Sequence, residues 1–199
     1  MNRPADWQSI LELTTAQPAR CNADEHKPYK SPLADTTVIS VHGDDAIDFL
    51  HAQLSADCRA LAVSESVLTA WCSPKGRVLF LLRVIRDNEG FLLLAAREQS
   101  AALCKRLKMF VLRAAVEITD LSPSHGVIRL DGVENAVPID GLVVAREAYR
   151  QWLVGLSSRL AAPWPHLRGE FASLEIARLP DIRTDQPVLA ARPSADLQP

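Results

Sequence analysis

No C-x-x-C pair occurs in this sequence, and its four cysteines, Cys21, Cys58, Cys72 and Cys104, stand far apart with no histidine at metal-ligand spacing. That excludes the familiar zinc signatures and a thioredoxin-type redox motif, and leaves four reduced thiols as the expectation. No stretch approaches the roughly 18 consecutive apolar residues that a membrane span needs, and the start MNRPADWQSI lacks the apolar core of an export signal. A cytoplasmic location without membrane contact is therefore expected. An excess of charge of one sign is missing too: the formal net charge is -2, so no global field draws the chain onto nucleic acid, and any anion site must be local. Direct nucleic-acid binding is not expected. His26, His42, His51, His125 and His166 are separated from any serine or cysteine in a nucleophile context, and neither a phosphate loop nor a dinucleotide fingerprint occurs. No catalytic group is expected, and no internal repeat is visible.

What is present is apolar patterning. With 48% hydrophobic residues among 199, the chain can bury one sizeable core or two small ones. TTVISV, Thr36 to Val41, is β-branched and ends at His42-Gly43, which reads as a strand and a turn. Asp44-Asp45 can then start a helix in which Ala46, Phe49, Leu50, Gln53 and Leu54 share a stripe. Val67 to Cys72, Arg77 to Ile85 and Phe91 to Ala96 read as a three-strand meander, and Ala102, Leu103, Leu107, Phe110 and Val111 as the buried face of a second helix. Short strands are expected at Val116 to Ile118, Val127 to Leu130 and Leu142 to Val144. Helices are expected around Trp7 to Leu13, from Glu147 to Leu160, and in a short piece ending near Leu179 before Pro180. The order of strands and helices predicts an α+β fold of split βαβ, ferredoxin-like type, with helices over one face of an antiparallel sheet. The expected organisation is a polar lead-in over 1–35, a first α+β subdomain over 36–130, a partial second one over 131–182, and a flexible tail over 183–199.

The chemistry-bearing candidate is the stretch WCSPKGRVLFLLRVIRD. Proline at the second and glycine at the fourth position make Ser73 to Gly76 good turn chemistry with no ligand at all. Lys75 and Arg77 flank that turn, and Arg83, an even number of residues further on, is expected on the same strand face, so that three cations converge over one site. Arg83 lies in the apolar run LFLLRVI and must reach solvent, an acid, with Asp57 and Asp87 as the candidates, or an anionic ligand. Gln53 and Asp57 are expected to face the same cleft. The run KRLKMF, Lys105 to Phe110, reads as a solvated helix face rather than a nucleic-acid contact.

Taken together, VHGDDAIDFLHAQLSAD, LTAWCSPKGRVLFLLRVIRDNEGFLL and KMFVLRAAVEITD resemble the amino-terminal part of the YgfZ-type proteins, in the superfamily of the glycine-cleavage T-protein (GcvT). The resemblance covers about residues 36 to 120, and more loosely Leu142 to Ile182, including EIARLPDI. It implies a tetrahydrofolate-binding fold of ferredoxin-like subdomains and an accessory role in iron–sulfur cluster assembly or repair and in tRNA modification, with iron–sulfur assembly proteins as partners. Lys75, Arg77 and Arg83 would suit the anionic glutamate of a folate, with Gln53 and Asp57 beside them. Two departures stand out. Leu79 and Phe80 occupy the positions where the aminomethyltransferase branch has paired aspartates, which argues against aminomethyl transfer, the alternative activity. The chain also reaches Pro199 without the K-G-C-Y-x-G-Q-E motif of the YgfZ-type proteins or the carboxyl-terminal barrel, and Arg178 replaces a glycine before Pro180. A fragment, a truncated gene product or a divergent short member that has lost the reactive part is expected, with a scaffold that binds no ligand as the remaining alternative.

Overall fold

A computed structural model of the chain describes residues 7–15, 29–132, 142–147, 150–161 and 175–176. In chain order the elements are α1 (Trp7–Thr15), β1 (Tyr29–Pro32), β2 (Thr36–His42), α2 (Ala46–Gln53), β3 (Ser66–Cys72), β4 (Val78–Arg86) and β5 (Gly90–Ala96), followed by α3 (Ser100–Val111), β6 (Glu117–Asp120), β7 (His125–Asp131), β8 (Val143–Glu147), β9 (Arg150–Leu156), α4 (Ser157–Ala161) and β10 (Glu175–Ile176). They form two five-stranded sheets, ordered β3-β4-β5-β2-β6 and β10-β1-β7-β9-β8. Every pairing is antiparallel except the two-residue contact of β1 with β10. The fold is α+β, as the alternation of elements predicted.

Side-chain alternation along the strands explains the layering. On the first sheet Ile39, Val41, Phe80, Leu82, Val84, Phe91 and Leu93 point to α2 and α3, where they meet Phe49, Leu50, Leu103 and Leu107. The residues between them, Val38, Ile85, Leu92 and Leu94, point the other way, onto Val127, Ala145, Trp152 and Val154 of the second sheet. The far face of that sheet, through Ile128, Leu130 and Leu153, is covered by Ile10 of α1 and Leu160 of α4. The result is a helix–sheet–sheet–helix stack. It accounts for the unbroken apolar run FLLLAA of β5, which is central in its sheet and buried on both faces.

Several sequence expectations need correction. Arg150 to Leu156, expected inside a helix, is strand β9, and only Ser157–Ala161 is helical. Trp152, Leu153 and Val154 are all buried, on alternate faces between two neighbouring strands, and this packing outweighs the helix-like spacing. Tyr29–Pro32, expected within a polar lead-in, pairs with β7, and Lys30 and Ser31 are buried there. His125–Asp131 belongs to the second sheet rather than the first, and Glu175–Ile176 is a short strand where a helix was expected. The expected tail over 183–199 lies outside the described residues.

The two sheets also touch at one corner. The Arg146 amide donates to the Ser64 carbonyl at 2.9 Å, and Glu65 and Arg146 form an isolated parallel bridge. That corner brings β8 beside the start of β3 and places Glu147 within reach of β4.

Candidate functional site

The hairpin between β3 and β4 is closed by its own backbone. The Gly76 amide donates to the Ser73 carbonyl at 2.8 Å, the Ser73 amide to the Arg77 carbonyl at 2.8 Å, and the Arg77 amide to Ser73 Oγ at 3.2 Å. Gly76 has φ +76°, a left-handed conformation that glycine adopts without strain. Lys75 and Arg77 are exposed at this turn, and neither has an ion-pair partner among the described residues. Just below, the register slips by one residue, with Trp71 opposite Phe80 but Cys72 opposite Val78.

Trp71 is the centre on which the neighbouring segments converge. Its ring is buried, tilted on Phe80 at 5.9 Å and edge-on to Phe110 of α3 at 5.7 Å. The Arg106 guanidinium lies 5.6 Å from the ring centroid, and its Nε is buried without a hydrogen-bond partner. Leu54, next to Gln53, bridges Trp71 from the end of α2, and the Ser55 amide donates to the Ala70 carbonyl at 2.9 Å. The fold thus holds half-buried Gln53 and exposed Lys75 and Arg77 on segments that meet at one end of the first sheet. Asp57 is exposed and turned to its own segment: it accepts from the Arg59 amide at 2.9 Å and lies 3.1 Å from His51 Nδ1.

Arg83 does not join that group. It is 7% exposed and lies between the sheets, where Nη1 donates to Ser66 Oγ at 3.1 Å and to Glu147 Oε2, with the guanidinium 3.8 Å over the Trp152 ring. Burial pulls its pKa down, Glu147 opposes that, and nearby Arg150 and Arg129 add to the lowering. Neither acid expected as its partner reaches it. Asp87 accepts from the Glu89 amide at 3.0 Å and lies 3.7 Å from His42, and Asp57 is committed as above. Glu147 was not legible as the partner because β9, which pairs with its strand, read as a helix beginning at Glu147. Arg129 and Arg150 both bind Asp131, at 2.6 and 3.1 Å, so the space between the sheets carries three arginines and two carboxylates. Sequence reading had singled out only Arg83 from this cluster.

Leu79 and Phe80 pack against the helix-side core, so no proton-taking group stands at those positions. Burial, followed by the Asp57 charge, pushes the Cys58 thiol up to about 11, and burial also raises Cys104. Both thiols are therefore poor nucleophiles at neutral pH. No group of three histidine, cysteine or acidic side chains among the described residues is placed to hold a metal, and no helix among them is long and apolar enough to cross a membrane.

A hydroxyl chain ties α3 to the two adjacent strands. Thr37 Oγ1 donates to Ser100 Oγ at 2.9 Å, Ser100 Oγ to Asp120 at 2.7 Å, and the Ser122 amide to Asp120 at 2.9 Å. Desolvation would raise the Asp120 pKa, but the hydrogen bonds from Ser122 and Ser100 outweigh it and the net shift is downward. A carboxylate with a depressed folded-state pKa adds stability that is present above its unfolded value, about 3.9, and is lost as pH falls through the folded value. Asp120→Asn should accordingly flatten the acid side of a stability-against-pH curve measured by urea unfolding and leave its slope near neutrality unchanged.

No family model matches the chain. Among curated proteins it is 28% identical over 122 residues to the tRNA-modifying protein YgfZ of Colwellia psychrerythraea, covering 61% of this chain and 37% of the relative. It is 33% identical over 97 residues to the tRNA-modifying protein YgfZ of Edwardsiella ictaluri, covering 48% and 29%. The chain spans about a third of the length of these curated relatives. Among solved structures, the glycine cleavage system aminomethyltransferase T of Bartonella henselae superposes with a TM-score of 0.63 at 17% identity, over 84% of this chain and 50% of that one. A chain of heterotetrameric sarcosine oxidase from Corynebacterium sp. U-96 superposes with a TM-score of 0.53 at 18% identity, over 86% and 98%.

Proposed function

We propose that this chain, which carries a YgfZ/GcvT-like amino-terminal part, is a tetrahydrofolate-binding accessory module that serves tRNA modification in the cytoplasm, in support of iron–sulfur cluster assembly or repair. The observation that carries the reading is the repeated similarity, at 28% and 33% identity, to bacterial proteins named for tRNA modification. The fold shared with an aminomethyltransferase T supports the folate part.

Within this reading Lys75 and Arg77, exposed and without acid partners among the described residues, take the carboxylates of the folate tail. The Gln53 amide, next to Leu54 that bridges Trp71, supplies a directed hydrogen bond. Asp57 and Arg83 take no direct part in this contact: Asp57 is held by the Arg59 amide, and Arg83 is paired with Glu147 between the sheets. Aminomethyl transfer is disfavoured, because Leu79 and Phe80 cannot polarise a folate nitrogen.

The test is complementation. In a bacterium deleted for its own YgfZ-type protein, expression of this chain should restore the modified nucleosides that the deletion depletes, measured by mass spectrometry of digested tRNA. Lys75→Ala with Arg77→Ala should reduce the recovery. A folded, expressed chain that leaves the nucleosides at the deletion level overturns the proposal.

A further inference from the structure

Between Ser100 and Ala115 the sequence holds four basic residues, Lys105, Arg106, Lys108 and Arg113, and no acidic one. Lys105, Lys108 and Arg113 are exposed, and none of the four forms an ion pair among the described residues. The same helix end carries three uncovered apolar side chains: Met109 is 66% exposed, Phe110 42% and Leu112 89%. Leu112, which caps α3, has φ 42° and ψ −99°, a conformation that a branched side chain rarely adopts. Leu112 thus combines an unfavourable backbone conformation with an almost fully exposed apolar side chain. Apolar side chains grouped in this way mark interaction sites more often than plain surface.

We propose that the carboxyl-terminal end of α3 is a docking surface for a protein partner that presents an apolar socket rimmed by carboxylates. Charge complementarity selects the rim, since the uncompensated cations favour an acidic surface and disfavour a basic one. The apolar residues select protein over RNA. Met109 and Leu112 have no ring on which a base can stack, so two of the three side chains offer RNA nothing. Burying all three needs an apolar counterpart. This surface does not depend on the folate reading.

The probe is a fluorescein-labelled helical peptide with leucine and methionine along one face and glutamate flanking them, titrated against the full chain by fluorescence anisotropy. A peptide of the same design with lysine in place of glutamate is the control. Saturable binding of the acidic peptide is expected, with no binding of the lysine peptide. Affinity should fall at least tenfold with Leu112→Asn, which replaces the apolar group by a polar one, and at least tenfold with Lys105→Glu plus Lys108→Glu. Thermal melts of each variant show that the fold is retained. Equal binding of both peptides, or indifference to Leu112→Asn, overturns the proposal. So does binding of bulk tRNA that depends on Lys105 and Lys108 while the acidic peptide fails to bind, which would reassign the surface to nucleic acid. Self-association lost in Leu112→Asn without peptide binding would reassign it to a second copy of the chain.

Discussion

Gly43→Ala is expected to lower the stability of this protein by about 3–5 kcal/mol, a large share of the roughly 5–15 kcal/mol that keeps an ordinary domain folded. Gly43 opens the turn from β2 into α2 with φ +120°, and a methyl group added there would stand 2.1 Å from the Ala115 carbonyl oxygen. Both the conformation and the overlap oppose any side chain, and the obstructing atom is backbone. The Ala115 segment cannot easily retreat, because its amide donates to the Asp45 carboxylate at 2.7 Å. Gly76→Ala is the natural control: its φ is +76°, but nothing lies within 4 Å of the added methyl, so only the conformational cost of about 1 kcal/mol applies. Urea unfolding followed by circular dichroism measures both variants. A Gly43→Ala protein as stable as Gly76→Ala would mean that the turn into α2 is not packed as described.

Arg83→Ala is expected to cost about 2–4 kcal/mol through a cavity between the sheets and the loss of the stack on Trp152. Glu147 is 38% exposed at its side chain, so once unpaired it rehydrates and adds little to that loss. Arg83→Met keeps most of the volume and should recover much of the stability. Glu147→Ala leaves a nearly buried guanidinium with only Ser66 and a ring face, and it should be more damaging than Glu147→Gln, which preserves an acceptor. The order of these four unfolding free energies tests whether Arg83 is a bolt between sheets. Equal stability of Arg83→Ala and the parent would contradict that role.

Much of the first sheet could be read directly from the residues. TTVISV, the meander and the two amphipathic helices carry strong periodicity, and their partners are close in the chain. The second sheet could not be read in the same way. It joins Tyr29–Pro32 to His125–Asp131 and Arg150–Leu156, segments a hundred residues apart, and β9 is buried on both faces, which removes the alternation that marks a half-exposed strand. The candidate site shows the same division. The turn chemistry of Ser73 to Gly76 is local and was legible. The fate of Arg83 was not, because it depends on a carboxylate 64 residues away across a sheet-to-sheet corner. Parity along a strand predicts which residues share a face, but it does not say what covers that face.

Titration of the purified chain with folinic acid by isothermal calorimetry addresses the proposed ligand most directly. The expected result is saturable binding, weakened about tenfold by Lys75→Ala and about tenfold by Arg77→Ala, each change removing one charge-assisted contact, with Arg83→Met binding as the parent does. Absence of heat at millimolar ligand, or an affinity that ignores the two hairpin cations and collapses in a folded Arg83→Met, would contradict it.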